Sequence, residues 1–139
     1  MVSYSTNVEL DTKGEGDVVL LDNLIHEAIA SSTLSSGIVT IFVPGSTGAV
    51  TTIEYETGLK ADLPAILAKL IPQSYPFKHN EYNHDDNGHS HVKAAVLGPS
   101  LTIPFIQGNL TLGTWQQVVF LEFDTRPRSR RIEVMIIGD

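Results

Sequence analysis

The sequence predicts an α+β fold, in which a two-layer arrangement of mixed or antiparallel sheet carries helices packed on one face. Runs rich in β-branched and aromatic residues outnumber the helical segments. The helical segments fall between groups of strands, without the strict strand–helix alternation of a parallel sheet. The length of 139 residues, with 42% hydrophobic and 18% charged residues, predicts a single globular domain over 1–139.

The first half of the chain predicts strands around one helix. Four segments have the alternation or the β-branched content of strands: Tyr4–Leu10, Asp17–Leu20, Ile38–Val43 and Thr51–Glu56. We expect the first two to form a short hairpin near the N-terminus. Apolar residues between Leu21 and Ile29 recur at helical spacing, and Asp22 is the expected N-cap of that helix.

The second half predicts two helices and three strands. One helix is expected over Asp62–Ile71, with Asp62 as N-cap and Pro64 in its first turn. Another is expected over Ser90–Leu97, with Ser90 as its cap, and Pro72–His89 between them reads as an irregular polar loop. Three further runs predict strands, of which the last two should form an antiparallel pair: Leu101–Phe105, Trp115–Phe123 and Arg131–Ile137.

Composition excludes several classes of function. The chain has no cysteine, which excludes disulfides, thiolate metal sites and a cysteine nucleophile. The formal net charge of −7 argues against nucleic-acid binding, because that function needs a positive field. No apolar run is long enough to span a bilayer and no secretory leader is recognised, so we expect no membrane partner and a cytoplasmic location.

Histidines and carboxylates are concentrated in one short segment. His84, Asp85, Asp86, His89 and His91 fall within eight positions. Imidazole and carboxylate groups are the ligands and proton-transfer groups of metal and acid–base sites. The competing interpretation is a solvated loop whose aspartates only form turns.

Three other places offer polar groups to the same site. The turn containing Ser46 and Thr47 could hold a phosphate through its hydroxyl and N–H groups, although an ordinary turn explains it as well. Glu54 lies near the end of a predicted strand, and Glu122 interrupts an apolar run, where a buried carboxylate needs a partner. Arg128 belongs to a basic turn that could bind an anionic group.

Several motifs together resemble the YjbQ-like family of proteins. The likeness covers nearly the whole chain, and the segments that carry it are Ser100-Leu101-Thr102-Ile103-Pro104, Gly108-Asn109-Leu110, Leu112-Gly113-Thr114-Trp115-Gln116-Gln117, His84-Asp85, the His91-containing helix and Pro127-Arg128-Ser129-Arg130. One departure stands out, since many members have His-Thr-Thr or His-Thr-Ser where this chain has Gly45-Ser46-Thr47.

The resemblance implies a small α+β protein that assembles as a homotrimer, and it implies thiamine-phosphate synthase activity, which some members of the family are described as having. A divalent metal such as Mg or Zn is the expected cofactor. The resemblance implies catalytic roles for His84, His91, Glu54 and Glu122, and metal binding by His84, Asp85 and His91. The residues implied or expected to bind a small phosphorylated or anionic substrate are Ser46, Thr47, Lys93, Thr114, Gln116 and Arg128. Two alternatives stay open: a non-catalytic module that binds a metal or an anion, and a metal-dependent hydrolase of a small phosphorylated substrate.

Overall fold

Two curled antiparallel sheets and four helices build the protein, as a computed structural model that describes residues 1–139 shows. The strands are β1 (Val2–Asp11), β2 (Val18–Leu20), β3 (Ser36–Phe42), β4 (Gly48–Ile53), β5 (Ser100–Ile106), β6 (Asn109–Leu110), β7 (Gln117–Glu122) and β8 (Ser129–Gly138). The helices are α1 (Asp22–Ser32), α2 (Thr57–Leu70), α3 (Lys78–Asn83) and α4 (Gly88–Leu97). The predicted α+β fold class is therefore confirmed.

The larger sheet has the strand order β1-β8-β3-β5-β6, and the smaller sheet has the order β2-β7-β4. In the larger sheet, β8 alternates strictly: Ile132, Val134 and Ile136 are buried while Arg131 and Met135 face outwards. Such alternation is typical of a strand with one buried face. The opposite face of this sheet is not covered by any helix of the chain.

Strand β7 lies between two hydrophobic cores. Val118 and Phe120 belong to the main core, which also contains α1 and the inner face of the larger sheet. Val119 and Leu121 point the other way, into a second core to which α2 contributes Leu67 and α4 contributes Ala94. Because both of its faces are buried, β7 reads in the sequence as a continuous apolar run.

The predicted strand pairings are wrong at both ends of the chain. β1 pairs with β8 over its whole length, from Val2 opposite Gly138 to Asp11 opposite Ser129, whereas β2 pairs with β7. The N-terminal segments therefore do not form a hairpin, and β7 and β8 belong to different sheets. The two strands differ in burial, because apolar side chains are buried on both faces of β7 and on only one face of β8.

The residues at the N-terminal ends of α1 and α2 differ from those predicted. Asp22 is the first residue of α1, not its N-cap, and its carboxylate accepts a hydrogen bond from the Val118 N–H at 2.7 Å. Helix α2 begins five residues before the predicted start, because the Glu56 carboxylate accepts hydrogen bonds from the Gly58 and Leu59 N–H groups. Asp62 is consequently not a cap, and Pro64 lies within the helix.

The predicted polar loop contains α3, which the sequence did not indicate. Helix α3 ends at His84, which adopts a left-handed conformation with φ +53°. Helix α4 begins at Gly88 with Asn87 in the N-cap position, so Ser90 lies buried in its first turn and is not the cap. None of the four helices is both long and apolar enough to cross a membrane.

Candidate functional site: a polar cavity beside two histidines

A cavity of about 220 Å³ lies between the α3–α4 connection and the turn that joins β7 to β8. Its lining contains no hydrophobic residue: Asp85, Asp86, Asn87, Asp124, Thr125, Arg126 and Arg128. One wall is acidic and the other carries both arginines. Of the residues expected in one site, Asp85 and Arg128 line this cavity, and His84 and His91 do not.

Short-range contacts fix the acidic wall. The Asn80 carbonyl accepts a hydrogen bond from the Asp85 N–H at 3.2 Å, and the Asn80 side chain accepts one from the Gly88 N–H at 2.9 Å. Gly88 lies so close to Phe77 that a Cβ added there would be 2.6 Å from the Phe77 Cβ. Only glycine allows this approach, which places residues 85–87 against the opposite turn.

Two histidines lie together beside the acidic wall. The rings of His79 and His91 have their centroids 4.5 Å apart. His79 Nε2 is 3.0 Å from the Asn87 side-chain oxygen and 3.7 Å from an oxygen of Asp85, both of which are lining residues. His91 Nδ1 is 3.1 Å from the Ser46 carbonyl oxygen, which can only accept, so Nδ1 carries the proton and Nε2 is left as the basic nitrogen.

The Asp85 carboxylate is held in its ionised form. The backbone N–H of Asp86 donates to it at 2.8 Å, and this hydrogen bond, followed by the charge of His79, keeps the pKa of Asp85 below its ordinary value. The ionised Asp85 therefore places a negative charge 3.7 Å from His79 Nε2 at the edge of the cavity.

A buried ionic network supports the basic wall. Asp124 accepts hydrogen bonds from Arg128 at 2.8 Å and from the Thr47 hydroxyl at 3.2 Å. Thr47 also accepts one from Arg130 at 2.9 Å, and Arg130 pairs with Glu122 through two of its nitrogens. The Arg128 side chain is 49% exposed, so its remaining N–H groups can reach a ligand.

The structure divides the sequence-predicted site residues between the two ends of the smaller sheet. Ser46, Thr47 and Arg128 lie at the end where β7 finishes, near the cavity. Glu54 and Gln116 lie at the other end, together with Thr114, roughly 17 Å away by the length of a six-residue strand. Glu54 and Thr114 are exposed there, and Gln116 donates a hydrogen bond to Thr52.

Two further predicted residues are buried and do not line this cavity. Glu122 is fully buried in its pair with Arg130 and also accepts a hydrogen bond from Thr12 at 2.9 Å. Lys93 is buried on another side of α4, where it contacts Glu15 at 3.0 Å. The arrangement gives Glu122 the role of an internal anchor for the β7–β8 turn.

The predicted metal ligands do not form a coordination set. His84 ends α3 in an exposed position, while the contacts of His91 are to His79 and Ser46. No group of three or more histidine and carboxylate side chains is placed to hold a metal ion. The residues as arranged therefore do not fit the divalent metal that the family resemblance implies.

The sequence did not single out Asp124 and Arg126, which line the cavity, or His79, which lies beside it. His79 lies outside the dense 84–91 segment, and its approach to His91 depends on α3, a helix too short to show a periodic apolar pattern. The only signal was its occurrence in a polar segment with asparagines at 80, 83 and 87.

Known proteins resemble this chain over nearly its full length. The family model described as UPF0047 protein YjbQ-like matches residues 6–139. A UPF0047 protein of Archaeoglobus fulgidus is 42% identical over 125 residues, which cover 90% of this chain and 94% of the relative. A UPF0047 protein of Methanothermobacter thermautotrophicus is 34% identical over 138 residues, covering 99% of this chain and 94% of the relative.

Solved structures agree with this relationship. The crystal structure of a YbjQ-like protein of unknown function from Sulfolobus solfataricus has a TM-score of 0.88 and 29% identity, covering 99% of this chain and all of that one. A hypothetical protein from Aeropyrum pernix has a TM-score of 0.86 at 29% identity and covers both chains fully. With its fold, its motifs and its relatives in agreement, the chain belongs to the UPF0047 family of YjbQ-like proteins.

Proposed function

We propose that this protein binds a small phosphorylated ligand in the polar cavity and acts on it with His79 and His91 as proton-transfer groups. The observation that carries the proposal is the cavity itself, which is lined by polar side chains alone and has arginines opposite carboxylates. Convergent charged groups in a cleft, with a carboxyl group of altered pKa among them, mark a candidate functional site.

The two walls favour a ligand with two kinds of groups. Arg126 and Arg128 offer planar, permanently charged donors that suit phosphate oxygens. Asp85 and Asp86 disfavour phosphate at their own wall, so phosphate binds at the arginine wall, and the two carboxylates accept hydrogen bonds from hydroxyl, amino or ring N–H groups. A phosphorylated metabolite that carries such donors at the end opposite its phosphate satisfies both walls.

The reaction that we propose is thiamine-phosphate synthesis, which the family resemblance implies. In that reaction, the ring nitrogen of a thiazole phosphate attacks a carbon of the pyrimidine partner, and the bond from this carbon to its diphosphate breaks. Arg126 and Arg128 would stabilise the charge that develops on the departing pyrophosphate. The attacking thiazole nitrogen carries no proton, so His79 and His91 would act only on the departing diphosphate, by donating a hydrogen bond or a proton to one of its oxygens.

A binding and turnover experiment tests the proposal. We expect inorganic pyrophosphate to bind the purified protein in isothermal titration calorimetry, and the variant Arg128→Gln to bind it at least about tenfold more weakly, since an arginine–phosphate contact is charge-assisted. Arg131→Gln is the matched control, because Arg131 pairs with Glu133 on the outer sheet face. Equal affinities in the two variants would contradict the proposed binding site.

Turnover separates the proposed reaction from its alternatives. Incubated with both substrate halves, the wild-type protein should form thiamine phosphate, and His91→Ala should lose this activity while it stays folded. Release of phosphate from one half alone would identify a hydrolase instead. Binding of pyrophosphate with neither product would leave a non-catalytic anion-binding module as the function and would refute the synthase.

We also propose that the protein works as a homotrimer. The number three rests on the family resemblance. Support for self-association comes from the uncovered outer face of the larger sheet, where Ile38, Phe42, Ile106 and Met135 are 41–59% exposed. An apolar surface of this kind is typical of an interface. Contact between copies would also be a way to bring the separated Glu54, Thr114 and Gln116 towards a cavity.

A further inference from the structure

A second cavity, of about 290 Å³, lies between α2, α4 and the connection from β1 to β2. Most of its wall is apolar, and Lys93 and Glu15 supply its charged groups. Its lining includes Glu15, Pro64, Ala65, Ala68, Lys93 and Phe123. It shares no lining residue with the polar cavity described above. A volume of this size is at the lower end of the range for ligand pockets, which suits a small molecule.

The charged groups of this cavity have hydrogen-bonding capacity that the protein does not use. Lys93 is only 3% exposed, and one of its three N–H groups donates to Glu15 Oε1 at 3.0 Å. His89, fully buried, places Nε2 2.9 Å from the same oxygen, in a geometry that falls short of a hydrogen bond. Two ammonium N–H groups of Lys93 and the second oxygen of Glu15 therefore remain available to a ligand.

The carboxylate of this cluster is ionised. Partial burial by itself raises the pKa of Glu15, but the hydrogen bond and the charge of Lys93, with the His89 ring close by, outweigh burial and lower the pKa below its ordinary value. A buried lysine with a carboxylate partner is costly to keep compared with apolar residues of the same volume. Retaining it beside a cavity points to recognition of a charged molecule.

We propose that this second cavity binds a small zwitterion with an apolar body, of the kind represented by an amino acid with an aliphatic side chain. Its carboxylate would accept hydrogen bonds from Lys93, and its ammonium group would donate to Glu15. The apolar body would lie against Phe123 and the alanines of α2.

Charge balance favours a zwitterion over a simple ion. Lys93 and Glu15 neutralise each other in the free protein. A simple anion at the free N–H groups of Lys93 would leave two negative charges to share one ammonium group. A simple cation at Glu15 would leave two positive charges to share one carboxylate. Each case leaves a partly buried charge unpaired, which costs more than the new contact contributes. A zwitterion pairs both groups at once.

Titration of isotope-labelled protein with three probes tests this proposal. We expect L-leucine to give saturable shifts of the Gly16, Lys93 and Phe123 amide signals in ¹H–¹⁵N spectra. Isovalerate and isoamylamine, which each keep one of the two charges and the aliphatic body, should bind at least about tenfold more weakly, because each leaves one protein charge without a partner. Equal binding of all three probes would show an apolar cleft only and would refute recognition of a zwitterion.

Two variants locate the binding without removing a buried charge. Ala68→Leu fills the cavity from an exposed helix position and should weaken leucine binding at least about tenfold. Ala61→Leu, on the same helix but outside the cavity, should leave it unchanged. If leucine shifts no signal, or if Ala68→Leu binds as the wild type does, the proposal is wrong. Arg128→Gln should not affect leucine binding, so this outcome is independent of the function proposed for the polar cavity.

Discussion

At the scale of single residues, a buried ion pair anchors the functional end of the smaller sheet. Glu122 and Arg130 are 0% and 7% exposed, and they connect to Thr47 and, through it, to Asp124 beside the polar cavity. The sequence showed that a carboxylate inside the apolar run of β7 would need a partner. It did not show which of the clustered arginines that partner is, because the choice depends on how β8 crosses to the other sheet.

We predict that Glu122→Gln destabilises the protein by about 3–5 kcal/mol, because it leaves the buried Arg130 guanidinium without a counter-charge. Urea unfolding followed by circular dichroism measures this loss. The control Glu133→Gln removes an exposed carboxylate that pairs with Arg131, and its effect should stay below about 1 kcal/mol. A loss for Glu122→Gln as small as that of the control would show that the pair does not anchor the turn.

At the scale of elements, the chain's periodic patterns predicted three of the four helices, but not their first residues. For α2, Pro64 suggested a start near residue 62, since proline is favoured in a first turn. The Glu56 carboxylate, three residues after the end of β4, instead caps the helix. Strand partners could not be predicted either, because alternation fixes which face of a strand is buried and says nothing about its neighbours.

The cap of α2 gives a second stability prediction. Glu56→Ala should reduce the free energy of unfolding by about 1 kcal/mol, the usual effect of losing an N-cap side chain. Glu54→Ala, which removes an exposed carboxylate two residues earlier, should change it by less than about 0.5 kcal/mol. Equal midpoints of the two variants in urea would mean that the Glu56 cap contributes nothing in solution.

At the scale of the whole molecule, composition and pattern were sufficient for the fold class but only partly for the site. Asp85 and Arg128 were both expected in the site and both line the polar cavity, whereas His84 and His91 were expected there and do not line it. Composition and pattern could not reveal that Glu54 and Gln116 lie at the far end of the sheet, since that separation follows from the register of β4 on β7. They also gave no sign that Lys93 faces a different cavity, because Glu15 is 78 residues away in the chain.

The uncovered sheet face leads to a prediction about assembly. Light scattering coupled to gel filtration should give about three times the 15.1 kDa chain mass for the wild type. Phe42→Glu, which places a charge on that face, should shift the protein to the mass of one chain. Leu70→Glu changes a more exposed apolar residue on α2 and should keep the larger mass. A wild-type monomer, or equal dissociation by both variants, would contradict the proposed interface.

The position of β7 between two cores has a consequence for how the molecule loses its structure. Its even-numbered side chains pack in the main core and its odd-numbered side chains pack in the second core. If the strand unfolds, both cores therefore lose contacts. Heat or denaturant should therefore unfold both cores in a single cooperative transition, with no populated intermediate in which only one core is folded.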